Sequence, residues 1–142
     1  MKYYAVIDTN VLVSATLKQN SVPGSIVELA FTGTIIPVLN KAIEQEYREV
    51  LSRPKFHLTK EIVQAIIDTF HQCALYIDAE HIDIELPDPK DRVFYEVVME
   101  ERKEESAYLI TGNLKHFPQK PYIVTPRQML DIILNGLDAH SM

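Results

Sequence analysis

The chain has 142 residues, of which 46% are hydrophobic and 24% are charged, and these proportions exclude a disordered or fibrous protein. This length supports one hydrophobic core but is short for two, so we expect residues 1–142 to form a single domain. The formal net charge of −6 excludes nucleic-acid binding through overall positive charge, so any such contact must be local.

The N-terminal part of the chain predicts one strand and two helices. The strand is an apolar run of β-formers, residues 3–7, that ends abruptly at Asp8. Helical patterns follow at residues 11–17 and 25–31, and Pro23-Gly24 is the predicted break between these two helices.

A second strand, residues 35–39, leads into a helix over residues 40–51 that is capped by its first residue. Glu46 lies on the apolar stripe of this helix, where no Lys or Arg accompanies it. Because a buried charge is usually paired or bound to a metal, Glu46 is a candidate metal ligand. An ion pair with Arg48 or Arg53 is the alternative.

The middle of the chain predicts two further helices and an extended connection. One helix begins at Thr59, and its apolar residues through Phe70 predict a face that packs against the core throughout. Residues 76–86 indicate a short strand and an extended segment without fixed bounds. Asp88-Pro89 then predicts the cap and the first residue of a helix that runs to about Glu104.

The C-terminal part predicts two strands and a closing helix. Residues 107–110 form a strand that ends at Thr111-Gly112-Asn113, and Ile123-Val124 form the last strand. The closing helix starts at Thr125-Pro126 and is expected to end at Asn135-Gly136. Strands that alternate with helices predict a three-layer α/β/α fold with a central, mostly parallel sheet.

No apolar stretch approaches the roughly 20 residues that cross a bilayer, and the N-terminus lacks the pattern of a signal peptide. We therefore expect no membrane contact and a cytoplasmic location. The single cysteine, Cys73, cannot form an internal disulfide and has no Cys or His at metal-ligand spacing. Its expected role is packing in the core.

Polar residues are predicted to collect where the carboxyl ends of the strands meet, which is where α/β folds bind ligands. Asp8 and Thr111-Gly112-Asn113 follow strands, and Asp88 and Asp91 begin a helix near the same edge. Oxygen ligands without a thiolate or a His pair suit Mg²⁺ or Mn²⁺. Such an ion activates water and stabilises charge on a phosphate, so the pattern predicts phosphodiester hydrolysis.

Each candidate also has an ordinary structural explanation. Asp8 at a strand end and Asp88 before a proline are typical caps, and Asp91 can complement the helix dipole. Residues that either orient the carboxylates or only shape turns are Thr9, Asn10 and Thr111. His116 either contacts a phosphate or is only solvated, and Arg53 and Lys55 either contact the substrate or only form the surface end of a helix.

Four segments of the chain resemble the motifs of PIN domains. They are Asp8-Thr9-Asn10, Glu46-Tyr47, Asp88-Pro89-Lys90-Asp91 and Thr111-Gly112-Asn113. The resemblance implies a Mg²⁺- or Mn²⁺-dependent endoribonuclease whose catalytic, metal-binding acids are Asp8, Glu46 and Asp91. Asn113 stands where many PIN domains have a fourth acid. An amide still ligates through its oxygen, but the missing negative charge should weaken a second metal site.

Two longer segments, Leu51–Phe56 and Thr111–Phe117, resemble the branch of this family that comprises toxin components of toxin-antitoxin pairs. The resemblance implies RNA as the substrate, a small antitoxin protein as a partner, and self-association as a dimer. Two other functions stay open. One is a PIN-like binding module without turnover, which Asn113 and the net acidity favour. The other, less favoured, is a phosphatase with an aspartyl nucleophile, which would have an acid where Asn10 stands.

Overall fold

The computed structural model describes the backbone of residues 2–141 and the side chains of residues 2–136. The strands are β1 (Tyr3–Ile7), β2 (Ile35–Leu39), β3 (Leu75–Tyr76), β4 (Tyr108–Ile110) and β5 (Ile123–Val124). The α-helices are α1 (Thr9–Leu17), α2 (Val22–Thr32), α3 (Lys41–Leu51), α4 (Lys60–Cys73), α5 (Arg92–Glu101) and α6 (Pro126–Ser141). Short 3₁₀ turns lie at Pro54–Phe56, Pro89–Asp91 and Leu114–His116. None of the helices in this described part is long and apolar enough to cross a membrane.

The strands form one sheet in the order β3-β2-β1-β4-β5, and each of its strand pairs is parallel. β1 lies at the centre because Tyr3 is in register with Ile35 of β2, while Ile7 is in register with Ile110 of β4. From β1 the chain builds outward to β3 on one side and then to β5 on the other, so the strand order reverses between β1 and β4. The predicted α/β fold with three layers is confirmed.

Helices cover both faces of the sheet, and β1 contributes to a core on each side. Ala5 and Ile7 pack in the core formed with α2 and α6, whereas Val6 packs in the larger core formed with α3, α4 and α5. All three side chains are buried. A strand that is buried on both faces reads as a continuous apolar run, which explains the sequence pattern of residues 3–7.

The predicted break at Pro23-Gly24 is wrong, because both residues lie in the first turn of α2. Ser21 caps this helix, and its side-chain oxygen accepts a hydrogen bond from the backbone N–H of Gly24 at 3.1 Å. Proline is favoured at the start of a helix because an N–H there has no partner within the helix. Glycine is needed because a Cβ at position 24 would lie 2.0 Å from the carbonyl oxygen of Gln19.

The helix predicted from Asp88 to about Glu104 is shorter than expected. Asp88 caps the 3₁₀ turn Pro89–Asp91 instead, accepting a hydrogen bond from the backbone N–H of Lys90 at 3.0 Å. The α-helix proper begins at Arg92 and ends at Glu101. The tighter turn ends in Asp91, which is therefore the residue that immediately precedes α5.

Three other expectations about helices are wrong. α6 does not end at Asn135-Gly136 but runs through both residues to Ser141, since one interior glycine costs only about 1 kcal/mol. α4 does not face the core throughout, because Ile62 is 45% exposed while Val63 and Phe70 are buried. Cys73, the last residue of α4, is only partly buried rather than packed in the core.

Candidate active site

Asp8 lies at the carboxyl end of the central strand and is 5% exposed. Its backbone N–H donates a hydrogen bond to the carbonyl oxygen of Ile110, at the end of β4, at 2.9 Å. Its Oδ2 accepts hydrogen bonds from the hydroxyl of Thr111 at 2.7 Å and from the side-chain amide of Asn10 at 3.4 Å. The carboxylate is therefore held where the strand order reverses, which is where parallel sheets of this kind bind ligands.

The loop Thr111-Gly112-Asn113 is bonded to the segment around Asp8. The hydroxyl of Thr111, which is fully buried, also accepts a hydrogen bond from the backbone N–H of Asn113 at 3.0 Å. The backbone N–H of Gly112 donates to the side-chain oxygen of Asn10 at 3.1 Å, and a Cβ on Gly112 would lie 3.3 Å from that oxygen. The side chain of Asn113 itself is exposed.

Glu46 reaches the same edge of the sheet from the middle of α3. The hydroxyl of Thr9 donates a hydrogen bond to its carboxylate. The next residue, Tyr47, is buried, and its hydroxyl donates to the carbonyl oxygen of Ile7 at the end of β1. Burial raises the pKa of this hydroxyl, so it remains neutral and acts as a donor. Two bonds thus fix α3 beside the end of the central strand.

The alternative role for Glu46, an ion pair with an arginine, does not appear in the structure. Among the side chains of residues 2–136, no salt bridge involves Glu46. Arg48 donates to the side-chain oxygen of Gln64 on α4 at 2.8 Å. Arg53 is exposed at the start of the 3₁₀ turn Pro54–Phe56, and no described hydrogen bond or ion pair brings it to the site.

Asp91 and His116 approach each other from two separate turns. Nδ1 of His116 lies 3.0 Å from Oδ2 of Asp91, and the imidazole is 38% exposed. The carboxylate of Asp88 instead caps its own turn, as expected. The sequence predicts for His116 only a contact with phosphate, because no local pattern indicates a pairing between residues 25 positions apart.

Burial raises the pKa of each of the three carboxylates, and the negative charge of a neighbouring acid adds to the rise. Burial raises the pKa of Asp8 to about 6, and the negative charge of Asp91 adds to this rise. Burial likewise raises the pKa of Glu46, with a further contribution from the charge of Asp8. The pKa of Asp91 is raised by burial and also by the charges of Asp88 and Glu46. The acid that follows β1, the acid on α3 and the acid in the turn before α5 are therefore within electrostatic reach of one another.

A family model described as PIN domain matches residues 4–115. That match covers most of the chain and includes Asp8, Glu46, Asp91 and Asn113. The chain belongs to the PIN domain family. PIN domains are generally nucleases, so the family places this chain in a nuclease superfamily. A search of the curated proteins found no match to the chain.

PIN nucleases generally use divalent metal ions, and the donor set of this PIN domain fits such an ion chemically. Carboxylates are ligands for hard cations, and a cation would relieve their mutual repulsion. Within the described residues, no three Asp, Glu, His or Cys side chains are already grouped so that they could hold a metal. Each acid is instead bonded to a neighbour, in the pairs Asp8 with Thr111, Glu46 with Thr9, and Asp91 with His116. Metal binding therefore requires the three carboxylates to move closer together, and a hydrogen bond to one oxygen of a carboxylate can persist while the other oxygen ligates.

Replacing Thr111 by valine is expected to destabilise the protein by about 1–3 kcal/mol near neutral pH, because a buried carboxylate loses its closest donor. The hydroxyl lowers the pKa of Asp8, so it stabilises the ionised form. The cost should therefore shrink well below pH 6, where Asp8 is protonated in the folded protein. Urea denaturation at both pH values measures this difference.

The matched control for this substitution is Thr69→Val on α4. The hydroxyl of Thr69 donates to the backbone carbonyl oxygen of Ala65 at 2.8 Å, and neither group titrates. We expect the control to have a small cost that does not change with pH. An equal cost of Thr111→Val at neutral and acidic pH would contradict the proposed role of the hydroxyl.

Proposed function

We propose that this PIN domain is an endoribonuclease that hydrolyses RNA with Mg²⁺ or Mn²⁺ held by Asp8, Glu46 and Asp91. The observation that carries the proposal is the buried carboxylate of Asp8, held by Thr111 and Asn10 at the point where the strand order reverses, with Glu46 bonded to the adjacent Thr9. Asn113 is a further ligand in this proposal, through its side-chain oxygen. Its exposed side chain lies at the same edge of the sheet.

A bound divalent ion supplies an activated water and neutralises the charge that develops on the phosphate. The residues of the chain orient the ligands. Thr111 and Asn10 hold the carboxylate of Asp8, and Thr9 holds that of Glu46. Because the pKa of Asp8 is about 6, protons compete with metal for this carboxylate below that pH, and metal affinity should fall there.

We propose further that the chain is the toxin component of a toxin-antitoxin pair. The support for this proposal is the resemblance of Leu51–Phe56 and Thr111–Phe117 to that branch of the family. The implied partners are a small antitoxin protein and a second copy of the chain. Expression of the protein should then arrest growth, and co-expression of the cognate antitoxin should relieve the arrest. Arrest that Asp8→Asn does not abolish would contradict a toxic ribonuclease.

Cleavage of labelled single-stranded RNA tests the ribonuclease proposal directly. We expect products with Mn²⁺ or Mg²⁺ and none in EDTA, because the carboxylates alone provide no activated water. The matched control is Asp68→Asn on α4, where an exposed carboxylate accepts a hydrogen bond from Gln64 at 2.7 Å. This variant should keep full activity. Intact RNA with both metals, from folded protein, would favour the binding module, for which Asn113 in place of an acid would be the cause.

A further inference from the structure

The acidic residues of the chain are unevenly distributed. The chain contains 20 Asp and Glu residues, yet residues 106–130 contain none. The same segment carries Lys115, His116, Lys120 and Arg127. An acidic protein that binds a polyanion needs a local region of this kind, because overall charge would repel the ligand.

Two adjacent cavities lie along this acid-free segment, with volumes of about 400 and about 430 Å³. Leu114, Gln119, Lys120 and Ile123 line both cavities. Lys115, Phe117 and Pro118 complete the first cavity, and the second extends toward α6, where the acidic Asp131 is one of its lining residues. We name the part around the four shared residues, together with Lys115 and Phe117, the Leu114 groove. Its floor is apolar and its rim carries two lysines.

The Leu114 groove begins beside the proposed active site. Its first residue opens the 3₁₀ turn Leu114–His116, which directly follows Asn113. The last residue of that turn lies 3.0 Å from the carboxylate of Asp91. The groove is thus separated from Asp91, a proposed metal ligand, only by the 3₁₀ turn Leu114–His116. Leu114 is 39% exposed at the start of the groove, although burying such a side chain would be favourable.

We propose that the Leu114 groove binds a nucleotide of single-stranded RNA adjacent to the phosphate that is cleaved. This inference rests on the proposed function and adds where the substrate lies. Lys115 and Lys120, both exposed, contact backbone phosphates, and the base packs on Leu114, which is 39% exposed. Gln119 offers an amide that can donate to and accept from the edge of a base. Proteins that bind single-stranded RNA place basic side chains along its backbone and pack its unstacked bases against side chains, most often aromatic ones; here the apolar contact is aliphatic.

Binding of a fluorescein-labelled hexauridylate in EDTA, followed by fluorescence anisotropy, tests the groove without requiring cleavage. A single-strand phosphate contact contributes about 0.7 to the slope of log affinity against log salt. Lys115→Gln and Lys120→Gln should each reduce the slope by about that amount. At about 50 mM salt this corresponds to a roughly eightfold loss of affinity for each variant. The double variant should lose roughly sixtyfold if the two contacts are independent.

The matched controls are lysines outside the groove. Lys18 is exposed at the end of α1, and Lys103 lies 3.1 Å from the carboxylate of Glu100. Lys18→Gln and Lys103→Gln should leave both affinity and salt slope unchanged. Equal losses in the control and groove variants would mean that the lysines act only through net charge, which would overturn the proposal.

The outcomes separate failure of the groove from failure of the ribonuclease proposal. The groove variants could lose RNA binding while the wild type cleaves no RNA with either metal. That result would support the groove proposal and contradict the ribonuclease proposal. If the wild type cleaves RNA but the lysine variants bind it normally, the groove proposal is wrong. Leu114→Asp should weaken RNA binding at an unchanged oligomeric state. If it instead dissociates a dimer in sedimentation and leaves RNA binding intact, the groove is a contact between copies and the proposal is overturned.

Discussion

Replacing Asp8 by asparagine is expected to reduce metal-dependent RNA cleavage at least about a thousandfold, which corresponds to roughly 4 kcal/mol of lost transition-state stabilisation. The amide keeps the shape and can still accept the hydrogen bond from Thr111, so the lost feature is the negative charge that holds the cation. Single-turnover kinetics with saturating RNA and Mn²⁺ measure this loss. Activity within tenfold of the wild type would show that Asp8 is not a metal ligand.

The same substitution is expected to stabilise the metal-free protein. The pKa of Asp8 is raised from 3.8 to about 6 in the folded state, so folding favours the protonated carboxyl. This contribution is fully present below the unfolded pKa of 3.8, and it is lost as the pH rises through 6. Above that pH the ionised Asp8 costs at most about 3 kcal/mol, because each pH unit between the two pKa values contributes about 1.4 kcal/mol.

Asp8→Asn should therefore raise the free energy of unfolding by about 1–3 kcal/mol at neutral pH in EDTA. The gain should disappear below the unfolded pKa, where the wild-type side chain is also neutral. Urea denaturation at several pH values measures both effects, and Asp68→Asn on the surface of α4 should show neither. A variant less stable than the wild type at neutral pH would contradict the account of this carboxylate.

Asp91→Asn and Asp88→Asn are expected to differ by more than an order of magnitude in activity. Asp91 contacts His116 and is a proposed metal ligand, so its substitution should reduce cleavage about a hundredfold or more, roughly 3 kcal/mol. Asp88 caps its turn through the N–H of Lys90. Asparagine caps nearly as well as aspartate, so Asp88→Asn should keep activity within about threefold.

These two variants form a matched pair, because they make the same chemical change within one four-residue segment. Single-turnover kinetics at several Mn²⁺ concentrations separate a weaker metal affinity from a slower reaction at saturation. The Asp91 variant should need more Mn²⁺, and the Asp88 variant should titrate like the wild type. The opposite order would assign the metal to Asp88 and leave Asp91 as a partner of His116.

Much of the fold could be predicted from local patterns, since buried strands and amphipathic helices each have a characteristic spacing of apolar residues that is visible in the sequence. The wrong predictions concern proline and glycine residues that were expected to interrupt or end a helix. Pro23-Gly24 and Asn135-Gly136 predict a break and a helix end because proline and glycine disfavour helix interiors. In the fold, Pro23 occupies a helix start, where it is favoured, and Gly24 lies against the backbone of Gln19. That close approach depends on how two helices meet, so no single helix predicts it.

The proximity of the acids could be predicted because parallel strands end at one edge of the sheet and helices begin there. The bonds that hold them could not. Tyr47 donates to the carbonyl oxygen of Ile7 across 40 positions of the sequence, and His116 meets Asp91 across 25. These contacts depend on the tilt of α3 and on the path of two 3₁₀ turns. Tertiary packing determines both, whereas local propensity determines neither.

The bond between Asp8 and Thr111 also limits when the site can form during protein synthesis. These residues are 103 positions apart, and a ribosome that adds roughly 5–20 residues per second needs about 5 to 20 s to cover that distance. During that interval β1 lacks its neighbour β4, and the carboxylate of Asp8 lacks its donor. A nascent chain therefore cannot assemble this site before Thr111 has been synthesised. A message broken before the codon for Thr111 yields a fragment that cannot assemble it at all.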